Sequence, residues 1–232
     1  MKISFHLAPV LAIALLTASC NAQDKKNAGA MKTPLDSVSY SLGVSIGNNF
    51  KTNQLDSINV DALARGMKDA LSGKTEITQE QADQRIQAYM AEREKSKSAE
   101  SLQKGKAFLD ANKTKEGVKT TPSGLQYIVM KEGNGAKPTL NDKVTTHYHG
   151  TLVDGTVFDS SVDRGEPATF PVSGVIPGWT EALQMMPVGS KWKLFVPSEL
   201  AYGDRGAGGK IPGNSVLIFE VELLKIEAPE TK

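Results

Sequence analysis

Apolar residues recur every three to four positions in the first half of the chain and at every second position in much of the second half. Val38, Leu42, Ile46 and Phe50 follow at four-residue steps behind Asp36, which is placed to cap a helix. Val60, Leu63, Ala64, Met67, Ala70 and Leu71 share one face of a second helix that begins after Asn59 and stops at Gly73. Thr78 and Gln81 have capping-box spacing and open a third helix that runs towards Asn112. Its apolar residues lie at the two ends, Ala82, Ile86, Tyr89 and Met90 first, then Phe108 and Leu109. Between them Glu92 to Ser101 is almost wholly polar, with Glu92/Lys95, Glu94/Lys97 and Glu100/Lys104 at helical charge-pair spacing. A helix polar on every side is expected to bridge two bodies through solvent.

The second half reads as strands. Leu125, Tyr127 and Val129 alternate, as do Trp192, Leu194 and Val196, while Lys143–Val153 and Ser215–Ile226 are long extended stretches. Asp154-Gly155 predicts a hairpin turn, and Thr180–Met186, stopped by Pro187, is the one short helix. Nine of the eleven prolines fall from Pro122 onward and none between Pro34 and Pro122, so the boundary is sharp. The expected fold class is α+β: an all-α N-terminal region and long connecting helix, then an antiparallel β-sheet wrapped around one short helix. Residues 34–77 would be the helical domain, 78–116 the connecting helix and 117–232 the β-rich domain. The first two helices, about 45 residues, make too small a core to stand alone. A homodimer built through residues 34–90 is the predicted remedy.

The leader carries its own signature. Lys2 precedes an apolar run from Leu7 to Leu16, too short for a span of roughly twenty residues and suited to an export signal. Leu16-Thr17-Ala18-Ser19-Cys20 resembles the lipobox of bacterial lipoproteins, with Thr17 where an apolar residue is usual. Residues 1–19 are thus expected to be removed, Cys20 to be lipidated and residues 20–33 to serve as a polar tether. That places the protein in the cell envelope, held in the outer membrane by lipid and facing the periplasm or the cell surface.

Charge and composition narrow the chemistry. With 27 Lys+Arg against 26 Asp+Glu the net charge is +1, which argues against a nucleic-acid partner held by a broad basic surface. A single cysteine rules out an internal disulfide. Gly43-Val44-Ser45-Ile46-Gly47 has the spacing of a hydrolase elbow but sits inside a helical periodicity, without the preceding strand that the elbow needs. His147 and His149 alternate on a strand without a neighbouring carboxylate cluster, and metal is not expected. The glycine-rich stretch Gly203 to Lys210 is followed by Ile211-Pro212-Gly213, which forbids a phosphate-binding helix and leaves a flexible binding loop.

Five blocks remain: Thr146-His147-Tyr148-His149-Gly150, Asp154 to Ser161, Val175-Ile176-Pro177-Gly178-Trp179, Ala201-Tyr202-Gly203 and Leu217 to Leu223. In this order they resemble the FKBP-type peptidyl-prolyl cis–trans isomerases over residues 122–227. Residues 34–121 resemble the dimerising N-terminal region of the Mip/FkpA-like envelope branch of that family. The resemblance implies an enzyme that turns Xaa-Pro bonds in exported proteins, without a cofactor, and a proline pocket that could also accept macrolide immunophilin ligands. By that resemblance Tyr148, Phe158, Asp159, Trp179, Tyr202 and Phe219 form the catalytic pocket, with Trp179 as its floor. Val175, Ile176 and Ile211 complete the substrate contacts, and Arg164 steadies Asp159. Ala168 stands where the family's eukaryotic members often carry an aromatic residue, and Ala207 and Lys210 stand where other members place bulkier or apolar side chains. Phe170, Trp192 and Phe195 are expected to be core. Such a site needs no nucleophile, because no covalent bond breaks when an amide of about 18–20 kcal/mol rotational barrier is twisted. A dimeric holdase-type chaperone with little isomerase activity is the rival reading.

Overall fold

The computed structural model describes residues 31–52, 55 and 57–227. The signal, Cys20 and most of the tether lie outside the described residues. Contact density divides the chain into two units, one ending at Arg65 and one beginning at Gly66.

Helix α1 is Pro34–Thr52. It opens three residues earlier than the expected cap at Asp36 implies. Thr33 is the cap and Pro34 the first helical residue, a position that tolerates the missing N–H. The Asp36 N–H donates to Thr33 Oγ1 at 3.1 Å, and the Asp36 carboxylate accepts from the Thr33 N–H at 2.9 Å. Asp36 is therefore the third-position half of a capping box rather than the cap itself. Helix α2, Val60–Ser72, follows Asn59, whose Oδ1 accepts from the Ala62 N–H at 3.0 Å. Gly73 ends it at φ 68°, a left-handed stop. Neither helix buries a residue within the chain, and Leu35, Val60 and Leu71 are each at least 70% exposed.

The 34-residue α3, Gln79–Asn112, starts from the expected capping box: Thr78 accepts from the Gln81 N–H and Gln81 returns the bond. The Glu100–Lys104 pair forms at 2.6 Å. No residue of the polar stretch Glu92–Ser101 is buried, while the turns that follow it dock on the β-rich domain. Phe108 packs on Phe195 with ring centroids 5.8 Å apart, and Asn112 Nδ2 donates to Gln126 Oε1 at 3.0 Å. Gly105 is buried in mid-helix, and a Cβ there would lie 2.8 Å from Val216 Cγ2. The helix closes on the sheet because this residue has no side chain.

Seven antiparallel strands follow: β1 (Lys119–Thr120), β2 (Gln126–Lys131), β3 (Lys143–Leu152), β4 (Val157–Ser160), β5 (Ala168–Pro171), β6 (Lys191–Val196) and β7 (Leu217–Ile226). Their order is β1-β2-β6-β7-β3, and the far edge of β3 is shared by β5 at one end and β4 at the other. A short helix α4, Ser161–Arg164, follows β4, and α5, Pro177–Met185, follows β5. The second begins three residues before the expected Thr180, with Pro177 again at the first turn. Gly178 lets it sit on β6, since a Cβ there would lie 2.5 Å from Val196 Cγ1. Trp179, Ala182, Leu183 and Met186 bury one side of α5 against Leu194, Leu217 and Val221. Phe195 and Gln126, which alternate with those core positions, face the other way and are covered by α3.

Candidate functional site

Five segments converge on one cavity of about 590 Å³. From the middle of β3 comes Tyr148, and from β7 comes Phe219. Trp179 arrives from the first turn of α5 and is 4% exposed. Its indole meets Tyr148, Phe219 and Phe170 edge-on, with centroids at 5.3, 5.2 and 6.0 Å and interplanar angles of 78–87°. Edge-to-face aromatic contacts of this kind fix ring orientation as well as burying area. Val175 and Ile176 line the cavity from the turn ahead of α5, Tyr202 and Ile211 from the glycine-rich segment.

Phe158 and Asp159 are consecutive in β4, yet both reach the cavity. The ladder explains it. Gly150 pairs with Asp159 and Thr151 with Val157, so Phe158 is the extra residue of a bulge. A bulge re-aims side chains that regular pleating would send to opposite faces. Gly150 makes room for the result, since a Cβ there would lie 2.7 Å from the Phe158 ring and 3.0 Å from that of Phe219. Phe158 then meets Phe219 edge-on at 5.4 Å.

Nine of the sequence-derived residues therefore line a single cavity: Tyr148, Phe158, Asp159, Val175, Ile176, Trp179, Tyr202, Ile211 and Phe219. Arg164 does not line it but reaches in from α4. It forms an ion pair with Asp159 and donates through Nη2 to the Tyr148 hydroxyl at 2.9 Å. Tyr148 in turn donates to Asp159 Oδ2 at 2.5 Å. Phe170, expected in the core, also lines the cavity, as do Ala207, Gly208 and Lys210. Ala168 lies in β5, packs against the core and is not part of the lining. Trp192 is core, stacked on Tyr127 at 4.5 Å. The histidines are turned to serines instead, His147 Nδ1 lying 3.1 Å from Ser161 Oγ and His149 Nδ1 3.0 Å from Ser160 Oγ.

The glycine-rich segment is stitched rather than loose. Ala207 and Ile211 exchange backbone hydrogen bonds of 2.9 and 3.0 Å. Gly206, at φ 64°, leaves no space for a Cβ, which would fall 2.0 Å from the Ile211 carbonyl oxygen.

Burial pushes the Asp159 carboxyl upward, but the bonds from Tyr148 and Arg164 outweigh it and hold the group below its ordinary 3.8. Burial and the bond to Asp159 raise the Tyr148 hydroxyl, which stays a donor. A carboxyl lowered on folding stabilises the fold above its unfolded pKa, and that contribution is lost as pH falls through the folded value. In Arg164→Gln the carboxyl loses its cation and moves up. The gap in melting temperature between wild type and variant should thus be widest near neutrality and shrink below about pH 4. Thermal melts from pH 3 to 7 test this, and a gap independent of pH would contradict it.

Comparison with known proteins places this geometry. A family model for FKBP-type peptidyl-prolyl cis-trans isomerases matches residues 134–224, and one for the domain amino-terminal to such isomerases matches residues 35–129. The chain is 47% identical to the outer membrane protein MIP of Legionella longbeachae, over 98% of this chain and 99% of that protein. It is 50% identical to the FKBP-type 22 kDa peptidyl-prolyl cis-trans isomerase of Escherichia coli K12, over 81% and 93% of the two chains. The crystal structure of FkpA from Escherichia coli superposes with a TM-score of 0.61 at 39% identity, covering 85% of this chain and 99% of that one. The chain belongs to the FKBP-type peptidyl-prolyl cis–trans isomerases. Its enzyme class and its α+β architecture, helical region first and sheet with short helix second, follow from that membership.

Proposed function

We propose that the cavity takes the prolyl ring of an Xaa-Pro segment in an exported protein and lowers the barrier to rotation without covalent chemistry. The carrying observation is an unfilled aromatic hollow of about 590 Å³ whose lining holds no serine, cysteine or histidine. Trp179 forms the floor, and Tyr148, Phe158 and Phe219 the walls. Val175, Ile176 and Ile211 seat the flanking residues. The Ile176 N–H has no acceptor among the described residues and sits at the mouth of α5, which suits it to a substrate carbonyl. The Tyr202 hydroxyl, on a half-exposed side chain, is placed for a second carbonyl. Arg164 holds Asp159, and Asp159 holds the Tyr148 ring against Trp179.

The planar amide is more polar than the twisted one, so exchanging water for these walls disfavours the planar state. Lowering the barrier by roughly 5–6 kcal/mol gives about ten-thousandfold acceleration. The test is cis–trans exchange of a short Leu-Pro peptide followed by NMR, with and without the protein. Unchanged exchange at micromolar protein refutes the reading. An immunophilin macrolide should suppress the acceleration by filling the same hollow.

The uncovered apolar faces of α1 and α2 support a second role. Residues 34–77, with the start of α3, would form a homodimer through 34–90, and α3 (within 78–116) would carry the isomerase domain, 117–232. Sedimentation at micromolar concentration should give a dimer, and a monomer overturns this. Such a dimer could also hold unfolded clients as a chaperone. A name that places one relative in the outer membrane, together with the lipobox-like Cys20, supports an envelope location with a lipid anchor.

A further inference from the structure

We propose that α3 is part of the isomerase site: Ser98 is a positioning residue that fixes the cavity rim through Asn214. This rests on the cavity being the isomerase site.

The rim residues Ala207, Gly208, Lys210 and Ile211 belong to the segment that joins the Gly203–Arg205 turn to β7. Its two ends meet where the Asn214 N–H donates to the Gly203 carbonyl at 2.8 Å. Asn214 is the one non-glycine residue among those described with a left-handed backbone, at φ 60°. Asparagine tolerates that conformation, at some cost, when its side chain is anchored. The anchor is on α3, since Asn214 Nδ2 donates to Ser98 Oγ at 2.8 Å. Gly213 lies against the same atom: a Cβ there would stand 2.8 Å from Ser98 Oγ and 2.0 Å from the Asp204 carbonyl oxygen.

The contact is one rung of a longer seam. Ser98, Gly105 and Asn112 stand seven residues apart, two turns each, and so share one face of α3. They meet Asn214, Val216 and Gln126 in turn. The seam uses a hydroxyl, a missing side chain and an amide in place of large apolar groups, which is why the apolar pattern of the helix does not trace it. Its functional consequence is order. Without Ser98 the segment would keep its Ala207–Ile211 and Asn214–Gly203 backbone bonds, but Asn214 would be freer to leave its left-handed conformation, and a peptide would have to select the closed arrangement. The Ser98 bond holds the rim closed beforehand, so less freedom is lost on binding.

The experiment uses the full chain and a Leu-Pro tetrapeptide. Ser98→Ala should raise KM about two- to tenfold, as expected for one lost hydrogen bond. Its kcat should stay within about twofold, because the floor and walls do not touch Ser98. Ser98→Thr, which keeps the hydroxyl, should restore KM. Amide exchange at Ala207 and Ile211 should accelerate in Ser98→Ala while exchange at Tyr148 and Val221 does not. An unchanged KM overturns the proposal, as does a uniform rise in exchange across the sheet, which would make Ser98 a matter of stability alone. If wild type itself fails to turn the peptide, the functional reading falls. The exchange comparison still decides whether Ser98 holds the rim.

Discussion

Trp179→Ala should lower kcat/KM for a Leu-Pro peptide by on the order of a hundredfold or more, and Phe158→Ala should come close to it. The indole touches three of the rings that shape the cavity, so its removal both opens the floor and frees Tyr148 and Phe219. Water would then reach the amide, and the polarity difference between planar and twisted states would lose its effect. Trp179 is also core, and its truncation should cost about 3–5 kcal/mol of stability. Loss of activity in that variant alone would therefore prove little. Phe158 separates the two effects. It sits on the bulge of β4, opposite one end of β3, is half-buried, and has Phe219 as its aromatic partner. Its truncation should leave the sheet folded by circular dichroism and by melting, while activity falls. Isomerase activity that survives both substitutions would sink the assignment of this cavity as the site.

The pocket residues were assigned by the family resemblance, and regular elements make that assignment easy to follow for Tyr148 and Phe219. Tyr148 and Phe219 are inward positions of two long strands, and strand alternation is visible in the residues themselves. Trp179 was legible through the Pro-Gly-Trp block, although its helix begins three residues early. Phe158 and Asp159 are different. Pleating would send neighbours to opposite faces, and only the bulge beside Gly150 brings both inward. The family order of the blocks supplied that pair, and no periodicity could have. Phe170 was missed because an aromatic on a strand reads the same whether it faces a packed core or an open cavity. Its place became visible only in the structure, where β5 pairs with the half of β3 that leads into Tyr148. The docking of α3 was marked only at its apolar end, Phe108 and Leu109, and the rest was missed for a physical reason. Hydrophobic patterning weighs large apolar side chains, and this contact is made largely where such side chains are absent.

That contact yields the second large effect. Asn112 and Gln126 are 1% and 4% exposed, and each amide is held by its neighbours. Asn112 Nδ2 donates to Gln126 Oε1, and Gln126 Nε2 donates to the Leu109 carbonyl at 3.0 Å. Asn112→Ala removes the donor and leaves Gln126 Oε1 buried without a partner, a loss of about 1–3 kcal/mol. For a unit of this size the melting temperature should fall by about 2–4 °C per kcal/mol. Tryptophan fluorescence reports it directly, because Trp179 and Trp192 both lie in the sheet domain. Replacing both partners with apolar residues, Asn112→Leu with Gln126→Leu, removes the orphaned acceptor along with its donor. The double variant should recover most of the loss. It should not recover specificity of register, because two leucines can slide where two amides cannot. The Ser98–Asn214 contact, two rungs further along the seam, would then weaken, and KM would rise in a variant whose stability has been restored. A double variant that regains melting temperature and wild-type KM together would show that the amide pair does not set the position of the helix.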